Sequence, residues 1–159
     1  MREPEIVERE KIANALGGAK AVDQFTFERY IQKSIVGVEA KDALLRFCPQ
    51  SDNVFIFGPV GVGKSHLATA AARRCKGAIV RNPMQIYRSS RKAGGWSDDE
   101  SAIQSFINMP VLVINDLDLC TEKTLNTCCE IIKGRDMAGK GGLIITSILT
   151  LESLAAKLG

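Results

Sequence analysis

Residues 53–65 read Asn-Val-Phe-Ile-Phe-Gly-Pro-Val-Gly-Val-Gly-Lys-Ser, and no other stretch constrains the chain as strongly. The apolar run Val54–Phe57 predicts a buried strand. It enters Gly58, Pro59, Val60, Gly61, Val62, Gly63, Lys64 and Ser65, which satisfy G-x-x-x-x-G-K-[ST] at each fixed position. Glycines let the backbone curl until successive N–H groups point at one phosphate. The helix that follows adds its positive N-terminal end to the same anion site. Lys64 is placed to reach the β- and γ-phosphates of a nucleotide, and the Ser65 hydroxyl to face Mg²⁺. His66 is the chain's one histidine and sits in the first turn of that helix. Beside bound phosphates it reads as a packing or hydrogen-bonding residue rather than a general base.

The remaining elements alternate. Residues 38–47 predict a helix with Ala40, Leu44 and Phe47 on one side, ended by Pro49. Lys64 to Lys76 predicts a second, with Leu67, Ala71 and Cys75 on one face. A strand at Ala78–Val80 precedes a helix from Pro83 to Lys92. Gly94–Glu100 reads as a loop and a helix start. Val111–Ile114 is apolar throughout, as a strand covered on both faces of a parallel sheet would be. A long helix over 121–138 is capped by Thr121, and Leu143–Thr146 forms a fourth strand. A last helix begins near Thr150. Strands alternating with helices predict an α/β fold around a central parallel sheet. Four apolar residues deliver Asn115 and Asp116 to the end of the third strand, where such sheets place ligands. Phe25–Ile31 is the densest aromatic stretch. It reads first as core packing and second as a contact to a nucleotide base. Arg81, Arg88, Arg91 and Lys92 are the densest basic cluster. A solvated face is the plainer reading, and single-stranded nucleic acid is the partner they would contact.

Composition narrows the class. The chain has 159 residues, 45 % hydrophobic and 25 % charged, enough for one domain with a full core. No apolar run approaches membrane-spanning length, and the charged N-terminus is not a signal peptide. The net charge of +3 permits nucleic-acid binding without arguing for it. Five cysteines with no C-x-x-C pair argue against a zinc site or a disulfide framework. Buried free thiols at Cys75 and Cys128 point to the cytoplasm. No Asn-Lys-x-Asp occurs, which disfavours a GTPase, and no lid-like arginine cluster follows the core, which disfavours a small-molecule kinase.

With these residues in view the chain resembles the AAA+ ATPase domain of DnaC-type helicase loaders and the related IstB-type transposition helpers. The resemblance covers roughly residues 25–159. It rests on Phe25–Tyr30, Phe57–Leu67, Val111–Leu117, Glu130–Arg135 and Ile145–Leu154. It implies a three-layer P-loop fold over residues 25–159 behind a short arm or helix at 1–24, with the last strand and the C-terminal lid absent. It also implies binding of ATP or ADP with Mg²⁺ and of single-stranded DNA, and a ring-shaped replicative helicase or a transposase as partner. Self-assembly through the nucleotide sites is a further expectation. By the same resemblance Asp116 occupies the catalytic position, and Ser65, Asn115 and Asp116 face the metal. Two departures imply slow hydrolysis. Asn115 stands where the family has an acid, and Ile148 where it has a polar sensor. The family's arginine that reaches a neighbouring subunit's site lies in the segment beyond the last helix. The favoured reading is an ATP-binding, DnaC-like accessory protein of DNA replication. The alternatives are an IstB-like transposition helper and a nucleotide-gated interaction module without hydrolysis.

Overall fold

The computed structural model describes residues 24–31, 35–91 and 96–158. Residues 1–23 of the expected arm, and Lys92 of the basic cluster, lie outside the described residues. Helix α1 (Ile35–Leu45) leads to β1 (Asn53–Phe57), α2 (Lys64–Arg73), β2 (Ala78–Arg81), α3 (Pro83–Arg91) and α4 (Trp96–Asn108). Then come β3 (Val111–Ile114), a 3-10 turn (Leu117–Leu119), α5 (Glu122–Met137), β4 (Leu143–Ser147) and α6 (Leu151–Leu158). All strand pairs are parallel, in the order β1-β4-β3-β2. Among the described residues β1 pairs with β4 alone, so the strand that carries the glycine loop is an edge strand.

The period-2 geometry of β3 divides the core. Val111 and Val113 face one apolar layer with Leu67, Ala68, Ala71 and Leu44. Leu112 and Ile114 face the other, with Ile86, Phe106, Cys128 and Ile131. Helices α1 and α2 therefore cover one face and α3 to α6 the other, a three-layer arrangement. All four β3 side chains are buried, which stabilises the fold by roughly 1.5–3 kcal/mol each.

Helix ends follow local chemistry. Helix α2 was expected to reach Lys76 but stops at Arg73, because the Arg74 and Cys75 N–H groups tighten onto Ala71 O and Ala72 O. Thr121 precedes α5 as its cap, and its N–H donates to the Thr124 hydroxyl at 2.9 Å. Arg135 of α5 points inward and is 1 % exposed. Its Nη1 donates to the carbonyls of Phe106, Ile107 and Met109 at 3.0, 3.1 and 2.8 Å, and its Nη2 to Gly141 O at 2.6 Å. A cation thus closes the C-terminal end of α4, where orphan carbonyls collect. All five cysteines are free thiols, with Cys128 buried and Cys75 half-buried. No helix among the described residues is long and apolar enough to cross a membrane.

Candidate nucleotide site

The loop after β1 curls through positive φ at Gly58, Gly61 and Gly63. Gly63 is the N-cap of α2 in a left-handed conformation and offers no side-chain cap. The first N–H groups of α2 have no intrahelical acceptor and are left for an anion. A Cβ on Gly63 would stand 2.5 Å from Tyr30 Cε2, so the position demands glycine twice over. Tyr30 holds the loop from outside, its hydroxyl donating to Val62 O at 3.1 Å. Lys64 is buried, and its ammonium donates to Gly58 O and Pro59 O at 2.8 and 2.9 Å. The charge is therefore stored against the loop's own carbonyls, at the place where phosphate oxygens would compete for it.

His66 packs edge-on to Phe25 and Tyr30, with centroids 5.1 and 5.6 Å away. Its Nε2 lies 2.7 Å from Thr26 O, which requires the proton on Nε2. The expected packing and hydrogen-bonding role describes this geometry. Phe27 and Tyr30 are core residues, whereas Phe25 lines a cavity with Val60, Gly61, Gly63, Lys64, Ser65, His66, Asp116, Asp118, Leu119 and Ile148. The cavity measures about 530 Å³, within the range of small-molecule sites.

Register brings the ends of β1, β3 and β4 together: Phe57 lies beside Ser147, and Ile114 beside Ile145. Asp116 then leaves the strand in a left-handed conformation at φ 57°, the one non-glycine residue with positive φ among those described. Its N–H donates to Thr146 Oγ1 at 2.9 Å, and the same hydroxyl donates to Asn115 Oδ1 at 3.3 Å. Burial, and next the charge of Asp118, raise the Asp116 carboxyl above the usual range, and Lys64 opposes them. Asn115 is turned toward Thr146 and does not line the cavity. Asp118, the acid two residues beyond Asp116, does line it. Asp118 sits inside the 3-10 turn Leu117–Leu119 that follows the left-handed Asp116, and that turn brings both carboxylates to one wall.

The basic cluster is spread along β2 and α3. Arg88 and Arg91 are exposed on α3, and the Arg91 guanidinium lies 5.0 Å from the Tyr87 ring centroid. Arg81 is half-buried at the end of β2, with Nη1 donating to Val80 O at 2.8 Å, and burial lowers its pKa.

A parallel sheet in this order, with a glycine loop leading into a helix and two acids just past β3, defines a P-loop nucleotide-binding domain of AAA+ type. The chain belongs to the family of IstB-like ATP binding proteins, whose family model matches residues 2–159. It is 34 % identical over 161 residues to an ATP-binding protein in an insertion sequence of Mycobacterium tuberculosis, covering 92 % of this chain and 63 % of that one. To the ATP-binding protein of insertion sequence IS232 of Bacillus thuringiensis subsp. berliner it is 32 % identical over 103 residues, covering 62 % of this chain and 40 % of that one. The chain thus spans less than two thirds of the length of either relative. Its fold is similar to that of the DnaC helicase loader, with a TM-score of 0.70, 23 % identity, and 88 % of this chain and 90 % of that one covered.

The residues present fit a nucleotide with its cation. Uncapped helix N–H groups and a stored ammonium match a phosphate chain, while Ser65, Asp116 and Asp118 offer oxygen ligands to a hard cation.

Proposed function

We propose that this chain is the ATP-binding helper of a DNA transposition system, in which nucleotide binding gates association with a transposase. The observation that carries this reading is the 34 % identity, over nearly the whole chain, to a protein of an insertion sequence. The expected preference for helicase loading has less support, since the likeness to the DnaC loader lies at 23 % identity and speaks for the fold.

In this reading the N–H groups of Gly61, Val62, Gly63, Lys64 and Ser65 take the phosphates, and Lys64 exchanges its loop carbonyls for phosphate oxygens. Gly58, Pro59 and Val60 shape the loop, and His66 buttresses Phe25, whose ring faces the base. Ser65 and Asp116 face Mg²⁺, which when bound neutralises charge on the phosphates. Asp116, with a raised pKa, is the group to orient or deprotonate an attacking water. Hydrolysis is slow, because Ile148 puts an apolar side chain on the cavity wall. Arg88 and Arg91, together with Arg81 and Lys92, contact backbone phosphates of single-stranded DNA.

Two assays test this. Lys64→Ala should abolish binding of a fluorescent ATP analogue, and unchanged affinity would remove the site. The purified chain should retain the transposase of its own element when ATP is present and release it with ADP. Retention of a ring helicase instead would favour the replication reading.

A further inference from the structure

P-loop enzymes hold the nucleotide's cation partly through an acid at the end of a neighbouring strand. In this chain the residue that leaves β3 first is Asn115, and its amide oxygen is already committed to the Thr146 hydroxyl. Asp118 is differently placed. It lines the same cavity as Lys64 and Ser65 although its residue is only 3 % exposed. Its Oδ1 accepts the Ile148 N–H at 2.8 Å, and its carbonyl accepts Lys157 Nζ at 2.6 Å. These two bonds fix the backbone and one carboxylate oxygen. The other, Oδ2, takes no hydrogen bond from the described residues. That oxygen opens on the cavity, where a second carboxylate, Asp116, lines the same wall. The ammonium of Lys64 is spent on Gly58 O and Pro59 O. A divalent cation at this wall would satisfy the oxygen and relieve the repulsion together.

We propose that Asp118, in place of Asn115, joins Asp116 and Ser65 in facing the divalent cation that accompanies the nucleotide. This rests on the nucleotide-binding reading above and assigns that site's metal side. Because Asp118 also holds the Ile148 N–H, the cation is tied through one carboxylate to the loop between β4 and α6.

The test is the affinity of fluorescent ADP, in EDTA and in Mg²⁺, for the wild type, Asp118→Asn and Asn115→Asp. Electron paramagnetic resonance of Mn²⁺ with ADP gives a direct count of bound metal. Asp118→Asn keeps the acceptor for Ile148, so the fold should survive; Asp118→Ser is read the same way if it does not. The expected result is that Asp118→Asn binds ADP in EDTA as the wild type does, but loses roughly tenfold or more in Mg²⁺-dependent affinity and in Mn²⁺ binding. Asn115→Asp should leave both unchanged. Wild-type Mg²⁺ dependence in Asp118→Asn, or a gain in Asn115→Asp, would overturn the proposal. A wild type that binds no ADP even in EDTA would overturn the nucleotide reading itself, and this proposal with it.

Discussion

Replacing Thr146 with valine removes one hydroxyl and leaves the volume nearly unchanged. That hydroxyl has no exposure to solvent and makes two bonds, accepting the Asp116 N–H at 2.9 Å and donating to Asn115 Oδ1 at 3.3 Å. In Thr146→Val both partners lose a buried contact. A buried donor left without an acceptor costs about 1–3 kcal/mol. Water reaches half-buried Asp116 and lowers that figure, while the Asn115 oxygen adds to it. The Asp116 N–H bond also holds a left-handed backbone that an L-residue adopts at a cost of about 1–2 kcal/mol, so its loss frees that residue to relax. The balance is a destabilisation of about 2 kcal/mol, which for a chain of this size is a fall in melting temperature of about 4–8 °C. Thermal and urea unfolding read this directly. Thr146→Ser keeps the hydroxyl and should recover most of the loss. Nucleotide affinity in EDTA should not change, because the glycine loop is untouched, whereas turnover should fall as the Asp116 carboxyl loses its aim. A Thr146→Val protein that melts within about 1 °C of the wild type would refute the idea that this hydroxyl latches the two strand ends.

Three further perturbations follow from other parts of the molecule. Gly63→Ala should weaken nucleotide binding at least as much as it lowers stability, since its Cβ would meet Tyr30 at 2.5 Å and φ is 91° there; a fluorescent-nucleotide titration reads the first and a melt the second. Asp116 has a raised folded pKa, so the folded state holds its proton to higher pH than the unfolded chain, and stability is lost as pH rises through that window. Asp116→Asn should therefore be more stable than the wild type at neutral pH, with the difference closing as pH falls below the carboxyl's ordinary range, as paired melts across pH would show. Arg135→Met should cost about 3 kcal/mol or more in urea unfolding, because it strands buried carbonyls at the end of α4. Arg135→Lys should cost less, keeping the charge without the fork that also reaches Gly141.

What the sequence disclosed was local. The strand, glycine loop and helix at 53–65, the apolar β3 and the Thr121 cap each write their conformation into neighbouring residues, and the structure contains all of them. What stayed hidden depends on contacts far along the chain. Arg135 has the sequence signature of a solvated helix face, and only the packing of α4 against α5 turns it inward. Phe25 reaches the cavity by packing on His66, across 41 positions of chain. Asp118 lies inside a 3-10 turn that follows a left-handed residue, and strand periodicity does not carry past such a break.

These hidden contacts share a design. Thr146 joins β4 to both residues that leave β3, Asp118 joins the turn after β3 to the loop after β4, and Lys157 joins α6 to Asp118. None of the four bonds involves the glycine loop. The cavity therefore has two walls, a loop wall braced by Tyr30 and His66 and an acid wall braced across β3, β4 and α6, and they meet where the Gly58 N–H donates to Ser147 O at 3.2 Å. A ligand that spans the walls touches both, and the Lys157 bond of 2.6 Å ties the acid wall to α6. Helix α6 is held to the same layer by Leu154, which is buried with Leu112 and Ile114.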